Sequence, residues 1–417
     1  SSTFTTNPEH NRQKQKPTIR WVGQPTSSSV QTTISCDNSH YHYDICSING
    51  STALDPTTST FYTIGPTIGP NLHPVKIKPY PRKWENSIMS KIKDVTLISS
   101  PKRPICDFHY NTSAIVFTSG GYTGNFFHDF NDGFIPLFVT VQSMSLSNWD
   151  ITLVVGKSPG WWMNKYGDIL QAFSVNPIVK LNNDTGIRCF RSVTVGLITH
   201  GFMTVNPHLL PNKTIIHFHD FLNKAFFKAH HKDFSRFTTR PKLVLLSRTG
   251  QVGRVILNQA QLKTMAQQVG FDVLVFEPKP NTSMNEAFGL MNESHVLLGV
   301  HGAALTHLLF LRPGSVFIQV VPIGTDEIAD LCYGRPAKKM GLDYMEYKIG
   351  IDESSLVEKY SINDPILTDP NSIRGMGWAL LKKVYLKEQN VKLDLVRFRK
   401  YLTKAYKKAK RFMKKYG

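Results

Sequence analysis

Between Ser113 and Val321 the sequence alternates short apolar runs with longer segments whose apolar residues recur every three or four positions. Such alternation is typical of strands followed by helices, and it favours an α/β fold built on parallel sheets. Arg240-Pro241 separates the pattern into two series, which predicts two α/β domains with a ligand cleft at the carboxyl ends of their strands. The predicted strands are 114–117, 151–155, 178–181, 193–198, 243–246, 273–276, 296–298 and 316–321, and the predicted helices are 126–146, 161–173, 218–234, 258–269, 284–292 and 303–311.

The segments that flank this region differ from it in composition. Residues 1–33 are polar and lack apolar periodicity, so we expect a flexible stem, whereas residues 34–105 are expected to form irregular β structure. The two domains are then 34–239 and 240–370, and residues 371–417 are predicted to form basic helices that pack back on the N-terminal domain. The apolar face of the last predicted helix consists of Phe398, Tyr401, Leu402, Ala405, Ala409, Phe412 and Met413.

The 417 residues carry a formal net charge of +19, and a dense basic run closes the chain. Because the last helix has an apolar face, we expect it to dock on the protein core rather than to bind nucleic acid. Its lysines would then form a basic rim that attracts an acidic polysaccharide or membrane head groups. No apolar stretch reaches the roughly 18–20 residues that span a bilayer. No signal peptide is visible, and since the chain begins Ser-Ser-Thr-Phe without Met, we expect its N-terminus to have been trimmed.

Glycosylation motifs and cysteines bear on the cellular compartment. Cys36 and Cys46 are spaced as in a bridged hairpin, Cys106 and Cys189 can pair over a long loop, and Cys332 is then left free. A reduced cytosolic protein with five buried thiols is the alternative. Six N-x-[ST] motifs favour the secretory pathway, although an Asn- and Thr-rich chain produces some by chance. They begin at Asn49, Asn111, Asn183, Asn212, Asn281 and Asn292.

The segment 299–307, Gly-Val-His-Gly-Ala-Ala-Leu-Thr-His, follows a predicted strand and opens a predicted helix. A glycine turn at this place leaves backbone N–H groups that can bind a phosphate, and His301 adds a donor beside them. The usual nucleotide fingerprints G-x-x-x-x-G-K-[ST] and G-x-G-x-x-G are absent. The alternative is a plain strand-to-helix turn of an α/β domain.

A second glycine-punctuated loop follows the predicted strand 243–246 and carries Arg248 and Arg254. Two guanidinium groups at the carboxyl end of a strand suit a diphosphate, because each can pair with phosphate oxygens through two N–H groups. Considered alone, this segment favours the alternative interpretation, a solvent-exposed basic loop without a binding role. Its predicted place on the same sheet edge as His301 favours a pyrophosphate site that needs no metal.

A third motif opens the first long predicted helix with Asn125, His128, Asp129 and Asp132. His128 and Asp132 are four residues apart and therefore share a helix face, and Asn125 is placed to cap the helix. A carboxylate, or an imidazole paired with one, is what deprotonation of a sugar hydroxyl requires. The alternative is that the two aspartates only complement the helix dipole. Because no D-x-D, H-E-x-x-H or C-x-x-C occurs, we expect no metal and no other cofactor.

Taken in the order in which they occur along the chain, the three motifs resemble those of glycosyltransferase family 61, in particular its plant xylan-modifying branch. Asn125, His128 and Asp132 are similar to the N-x-x-H-x-x-x-D helix start of that family. Ser247 and Arg248, followed by Arg254 and Asn258, are similar to its S-R-x-x-x-x-x-R loop, and residues 299–306 to its G-V-H-G-A-G-L-T segment. Further matches are Pro313-Gly314, Gln319, Pro322, Tyr333, Pro336, 340–342 and 387–391.

The resemblance implies a GT-B fold, in which two Rossmann-like α/β domains face a cleft and C-terminal helices cross back. It also implies type II anchoring in the Golgi, through a native membrane anchor that we expect to be missing from this sequence. It further implies a UDP-sugar donor, a xylan or xylo-oligosaccharide acceptor, and inversion at the transferred sugar. Two positions depart from the family pattern. Ala304 stands where the family has its second glycine, and His307, where the family usually has Asn, changes the hydrogen bonding expected on the donor side.

We therefore predict an inverting glycosyltransferase that moves a pentose, with xylose from UDP-xylose favoured, to a hydroxyl of xylan. Of His128 and Asp132, one is the general base and the other its orienter, and Asp129 is a further catalytic candidate. An arabinofuranosyltransferase that uses UDP-arabinofuranose is the alternative of the same class, and a non-catalytic polysaccharide-binding relative is the alternative of another. The predicted substrate-binding residues are Asn125, Arg248, Arg254, Asn258, His301, Gly302, Ala303, Thr306 and His307.

Overall fold

The structure is a computed structural model that describes residues 32–63, 73–99, 104–144, 150–227 and 239–416. It contains two β-sheets with helices packed on them, so the α/β class predicted from the sequence is confirmed. The predicted stem lies outside the described residues except for its last two positions. The ends of two predicted helices, at 145–146 and 228–234, also lie outside them.

The first sheet is mixed, and its strands follow the order β4-β5-β3-β2-β10-β7-β8-β9, with β1 beside β2 and β6 beside β10. Strands β7, β8, β9 and β10 are parallel, as predicted, but β2 lies antiparallel to β10. The described segments within residues 34–105 therefore contribute five regular strands to the main sheet, which corrects the expectation of irregular structure. Its strands are β1 (Thr33–Asp37), β2 (Ile45–Asp55), β3 (Thr60–Thr63), β4 (Val75–Ile77), β5 (Val95–Ile98), β6 (Phe108–His109), β7 (Ser113–Thr118), β8 (Ile151–Gly156), β9 (Val179–Lys180) and β10 (Arg188–Val195).

The second sheet is wholly parallel, with the order β12-β11-β13-β14-β15. Its two central strands, β13 and β14, are buried along their whole length, which explains why they read as continuous apolar runs in the sequence. Four of the five strands match the predicted ones within two residues. The strands are β11 (Lys242–Leu246), β12 (Asp272–Phe276), β13 (Val296–Val300), β14 (Val316–Val321) and β15 (Asp343–Lys348).

Helices pack on both sheets, and their buried side chains form a core with those of the strands. Three segments, at Asp129–Phe134, Asp330–Gly334 and Lys382–Glu388, form wider π-helical turns, and Ala303–Phe310 is a 3₁₀-helix rather than the α-helix that its apolar pattern predicts. The α-helical segments are Asn86–Met89, Phe126–His128, Ile135–Ser143, Gly160–Lys165, Gly167–Phe173, Ile215–Phe227, Gln259–Val269, Met284–Glu293, Asp326–Ala329, Arg335–Lys339, Pro365–Thr368, Pro370–Gly375, Trp378–Leu381 and Leu395–Tyr416, and two short 3₁₀ turns are Ile351–Glu353 and Ser355–Glu358.

A cluster of buried aromatic residues joins helices of the two halves. Phe130, in the first helix after β7, lies with its ring centroid 6.1 Å from that of Phe310, which closes the 3₁₀-helix after β13. Phe226 lies 5.8 Å from the same ring. Because the segments that begin at Phe126 and Ala303 meet across this cluster, the residues at their starts are brought close together.

The long C-terminal helix Leu395–Tyr416 buries the apolar face predicted from its spacing, with Phe398, Leu402 and Ala405 fully enclosed. It packs on the helix Gln259–Val269 and on β14 and β15. This corrects the expectation that the helix packs back on the N-terminal domain. The face of the second sheet offers the continuous apolar surface that a 22-residue amphipathic helix needs.

Two disulfides occur in the described residues, Cys36–Cys46 and Cys106–Cys189, and Cys332 is a free, half-buried thiol. The predicted pairing is confirmed. Of the six glycosylation motifs, five present an exposed asparagine, and the sixth, Asn292, is half-buried. Among the helices of the described part, none is long and apolar enough to cross a membrane.

Candidate active site

The helix after β7 starts with a side-chain cap and then widens. The Asn125 side chain accepts a hydrogen bond from the Phe127 backbone N–H at 3.0 Å, so Asn125 is the N-cap of this helix, as predicted. His128 closes the first turn and Asp132 lies in the π-helical turn that follows, where its Oδ2 is 2.8 Å from His128 Nδ1. π-helical turns recur at functional sites, because they change which side chains share a helix face.

Asp132 is a fully engaged carboxylate. Its Oδ2 accepts from the Tyr80 hydroxyl at 2.8 Å and from Arg82 Nε at 2.9 Å, besides the contact with His128. Its Oδ1 accepts from Arg82 Nη2 at 3.0 Å and from the Asn131 amide at 2.7 Å. Burial alone would raise the pKa of Asp132, but the Arg82 charge and these hydrogen bonds hold it well below its ordinary value. The carboxylate is therefore ionised at every physiological pH.

Arg82 links Asp132 to a second carboxylate and to a group of aromatic rings. Its guanidinium is 3 % exposed and also donates to Glu85. Glu85 in turn accepts from the Tyr122 hydroxyl at 2.6 Å, and the Tyr122 ring stacks on His128 with centroids 4.2 Å apart. The imidazole is thus fixed on its Nδ1 edge by charge and on one face by a ring, while the His128 side chain remains 17 % exposed.

Asp129 belongs to a separate environment. One of its oxygens accepts from the Tyr166 hydroxyl at 2.8 Å, and its side chain is buried. Desolvation raises the pKa of Asp129 above its ordinary value, because burial outweighs the hydrogen bond from Tyr166 and the charge of Lys165. The pKa of Asp129 is therefore raised whereas that of Asp132 is lowered. Of the two, Asp132 is the carboxylate that pairs with His128.

Arg248 and Arg254 lie against the glycine turn after β13. A methyl group placed on Gly302 would lie 2.8 Å from Arg248 Nη2 and 3.1 Å from Arg254 Nη1, so both guanidinium groups approach the bare backbone at this residue. Arg254 Nη1 also donates to the His301 carbonyl at 3.1 Å. Burial lowers the pKa of Arg254 to about 10, with a further contribution from the charge of Arg248. Two half-buried cations that approach one turn are a chemical arrangement that suits an anion.

His301 and Thr306 are buried behind these arginines. The His301 Nδ1 lies 3.2 Å from the Gln319 amide nitrogen, and burial together with the two arginines lowers its pKa to about 3. The imidazole is therefore neutral at physiological pH. The Thr306 hydroxyl lies 3.5 Å from that of Tyr333.

Two of the predicted donor-binding residues have structural contacts of their own. The His307 Nδ1 bonds to the Ala304 carbonyl at 2.7 Å, its ring packs 4.4 Å from Phe126, and its pKa falls to about 4, chiefly through desolvation. Asn258 donates to the Leu393 carbonyl at 2.8 Å and accepts from the Leu393 N–H at 3.0 Å. Its amide thus joins the arginine loop to the C-terminal segment.

Two rings lie between the His128 pair and the arginine turn. The Phe127 ring is edge-on to His128 at 5.3 Å and lies 5.7 Å from Tyr333, whose ring is 5.5 Å from that of His301. The structure therefore brings the motif at Asn125, which follows β7 of the first sheet, beside the turn at Gly302, which follows β13 of the second sheet.

Sequence reasoning missed four residues that surround His128 and Asp132. Tyr80, Arg82 and Glu85 lie outside the three motifs, and Arg82 is 50 positions from Asp132. Tyr122 lies in the glycine-rich start of the third motif but was assigned no role. The one local signal was the Arg82-x-x-Glu85 spacing, which is too common to point to a site. Within the described ranges no three His, Cys, Asp or Glu side chains are grouped so that they could hold a metal ion.

Comparison with known proteins agrees with these motifs. The model of the family Glycosyltransferase 61 matches residues 124–318, which contain His128, Asp132, both arginines and the glycine turn. The chain is 41 % identical over 410 residues to xylan glycosyltransferase MUCI21 of Arabidopsis thaliana, covering 93 % of this chain and 82 % of the relative.

Two relatives from Oryza sativa subsp. japonica are each 33 % identical to this chain. The match to beta-1,2-xylosyltransferase XYXT1 spans 396 residues, or 89 % of this chain and 83 % of the relative. The match to alpha-1,3-arabinosyltransferase XAT2 spans 374 residues, or 88 % of this chain and 63 % of the relative. This chain belongs to glycosyltransferase family 61.

Proposed function

We propose that the protein is an inverting glycosyltransferase that moves a xylosyl group from UDP-xylose to a hydroxyl of the xylan backbone. The observation that carries the proposal is the His128–Asp132 pair beside a turn that holds two half-buried arginines. One half of this arrangement suits deprotonation of an acceptor and the other suits a diphosphate leaving group. The relatives named for transfer to xylan, or for xylosyl transfer, support the substrate class.

His128 is the proposed general base, and Asp132 its orienter. With five hydrogen-bond contacts and a lowered pKa, Asp132 is a poor proton acceptor. We place the Nδ1 proton of His128 in its bond to Asp132, which leaves the Nε2 lone pair for the acceptor. The acceptor oxygen attacks the anomeric carbon, its proton passes to Nε2, and the bond to UDP breaks with its electron pair on the departing phosphate oxygen. One such displacement inverts the anomeric centre.

We propose that Arg248 and Arg254 stabilise the departing UDP, without a divalent cation. Their guanidinium groups can pair with the diphosphate oxygens, and the backbone from Gly302 to Thr306 adds donors. Binding of the donor between the two α/β halves corresponds to a GT-B arrangement, which is part of the proposal. Neutral His301 would then act as a hydrogen-bonding group and not as a charge.

An arabinofuranosyl group from UDP-arabinofuranose is the second candidate. The observation that favours it is that this chain is 33 % identical to a relative named as an alpha-1,3-arabinosyltransferase, the same identity as to the relative named as a beta-1,2-xylosyltransferase. Both donors present the same diphosphate to the arginines, so the pentose itself has to be identified by experiment.

We further propose that the protein works in the Golgi lumen as the catalytic part of a type II membrane protein. Its two disulfides and five exposed glycosylation motifs support an oxidising compartment. Treatment of the protein, expressed in plant cells, with a glycosidase that removes N-glycans should lower its mass. An unchanged mass would contradict passage through the secretory pathway.

The first experiment offers labelled xylohexaose with UDP-xylose, UDP-arabinofuranose or UDP-N-acetylglucosamine, each with and without EDTA. A mass gain of one pentose from UDP-xylose, unaffected by EDTA, is expected. His128→Ala should abolish transfer, whereas His208→Ala, a change at an exposed histidine, should not. Gain from UDP-arabinofuranose alone would select the second candidate. Absence of both transfer and UDP binding would indicate a non-catalytic polysaccharide-binding relative.

A further inference from the structure

Two aromatic side chains lie stacked at the surface beside the candidate active site. The Tyr41 ring is 67 % exposed and nearly parallel to that of Trp84, at 13° with centroids 5.8 Å apart. His42 packs edge-on to Trp84 at 4.8 Å. Together the two rings present an aromatic face to the surface that a ligand can cover. We call these two residues the Tyr41–Trp84 platform.

Arg82 connects this platform to the catalytic pair. The Arg82 guanidinium carbon lies 5.3 Å from the centre of the Trp84 ring, and its Nη2 is 3.1 Å from His128 Nδ1. The same guanidinium lies 5.2 Å from the ring of Tyr122, which stacks on His128. A single buried side chain thus separates the platform from the proposed base.

The loop that carries Tyr41 is held at several points. A disulfide between Cys36 and Cys46 closes its two ends, where β1 stops and β2 starts. The Lys83 ammonium bonds to the Asp44 carboxylate at 2.7 Å and to the Asn38 carbonyl at 2.6 Å. These contacts fasten the loop to the segment that bears Trp84, so that little ordering is required when a ligand binds.

We propose that the Tyr41–Trp84 platform is a subsite for the acceptor chain, which binds a xylosyl residue other than the one that receives the sugar. A β-linked xylosyl ring carries its hydroxyls around its rim and exposes C–H groups on both faces. Such C–H groups are attracted to the negative face of an aromatic ring. The inference rests on the proposed function for the identity of the polysaccharide.

The acceptor fits this platform better than the donor does. The half-buried arginines that suit a UDP diphosphate lie at the turn after β13, in the second sheet, whereas Tyr41 and Trp84 lie in loops that follow strands of the first sheet. The single cation that touches the platform, among the described contacts of its rings, is Arg82, and its guanidinium is already engaged by Asp132 and Glu85. A neutral polymer needs no further charge there.

The test is the variant Tyr41→Ala, because the exposed ring can be removed without disturbing Arg82. The Michaelis constant for xylohexaose should rise about five- to tenfold, as expected for loss of one stacking contact. The turnover number kcat and the Michaelis constant for xylobiose should stay unchanged. Tyr416→Ala is the matched control, since Tyr416 is 52 % exposed on the C-terminal helix. Trp84→Phe should retain most of the affinity that Tyr41→Ala loses.

Calorimetric titration of xylohexaose without donor separates this inference from the proposed function. If Tyr41→Ala weakens that binding about five- to tenfold while wild-type protein transfers no pentose, the subsite stands and the proposed reaction fails. If wild-type protein transfers xylose but Tyr41→Ala leaves both the binding and the Michaelis constant unchanged, the subsite is refuted. An equal loss for xylobiose and xylohexaose, or a loss of UDP binding, would also refute it.

Discussion

Replacement of Asp132 by Asn tests the ion pair at the centre of the site. Asp132 and Arg82 are each 3 % exposed, and the carboxylate takes two guanidinium hydrogen bonds, one on each oxygen. An amide in either orientation turns its NH₂ toward at least one Arg82 N–H, so donors would face donors. The guanidinium would keep Glu85 as its remaining anionic partner.

The cost in stability follows from this geometry. Removal of one partner of a buried ion pair costs about 3–5 kcal/mol, and the remaining Glu85 contact reduces this to about 2–4 kcal/mol in the free energy of unfolding. Since the pKa of Asp132 is lowered in the folded state, its stabilisation is fully present above the ordinary value of 3.8 and is lost as the pH falls below it. The difference between wild type and variant should therefore be constant from pH 7 to pH 5 and narrow below about pH 4.

Urea denaturation at pH 7, 5 and 3.5 measures this difference, with Asp150→Asn as an exposed control. In parallel, pentose transfer should fall about 100-fold or more, because an unoriented imidazole is a poor general base. UDP binding should stay within about twofold of wild type, since the arginine turn is not touched. A loss of UDP binding together with transfer, or a stability difference that grows in acid, would refute the assigned role.

Three further predictions concern the arginine turn and Asp129. Arg248→Lys should weaken UDP binding about tenfold in calorimetry, because an ammonium cannot pair bidentately with phosphate; unchanged binding would exclude Arg248 from the donor site. Gly302→Ala brings a methyl group within 2.8 Å of Arg248 Nη2 at a residue whose φ of +159° L side chains rarely adopt, so it should lower the free energy of unfolding and weaken UDP binding about tenfold, whereas Gly375→Ala, with open space around it, should change neither. Tyr166→Phe removes the hydroxyl that bonds to buried Asp129 and should cost about 1–3 kcal/mol in urea denaturation; a neutral effect would show that Asp129 is protonated and needs no donor.

The second sheet was the most predictable part of the fold. Its strands β11, β13 and β14 are buried, so their side chains on both faces are apolar and each reads as one continuous run. The cap at Asn125 was also readable, because a helix start depends on residues adjacent in sequence. Features that depend on local chemistry were thus available from the sequence.

Features that depend on contacts between residues far apart in the chain could not be predicted from the sequence. The pairing of β2 with β10 joins residues about 140 positions apart, and neither strand carries a signal for its partner. Arg82 was missed for the same reason, since the partner that places it beside His128 is Asp132, 50 positions away. The C-terminal helix was placed on the wrong partner because an apolar stripe specifies that a helix docks, but not where.

The attachment of the Arg254 loop to residues 389–393 has a consequence for synthesis of the protein. The Arg254 N–H bonds to the Gln389 carbonyl, the Val255 N–H to the Asn390 side chain, and Asn258 to the Leu393 backbone. A chain emerging from the ribosome folds its N-terminal parts first, yet it completes this loop only when its last thirty or so residues have appeared. The growing chain therefore cannot complete the contacts of the Arg254 loop until translation is almost finished, and a transcript truncated before residue 389 encodes a protein that lacks them.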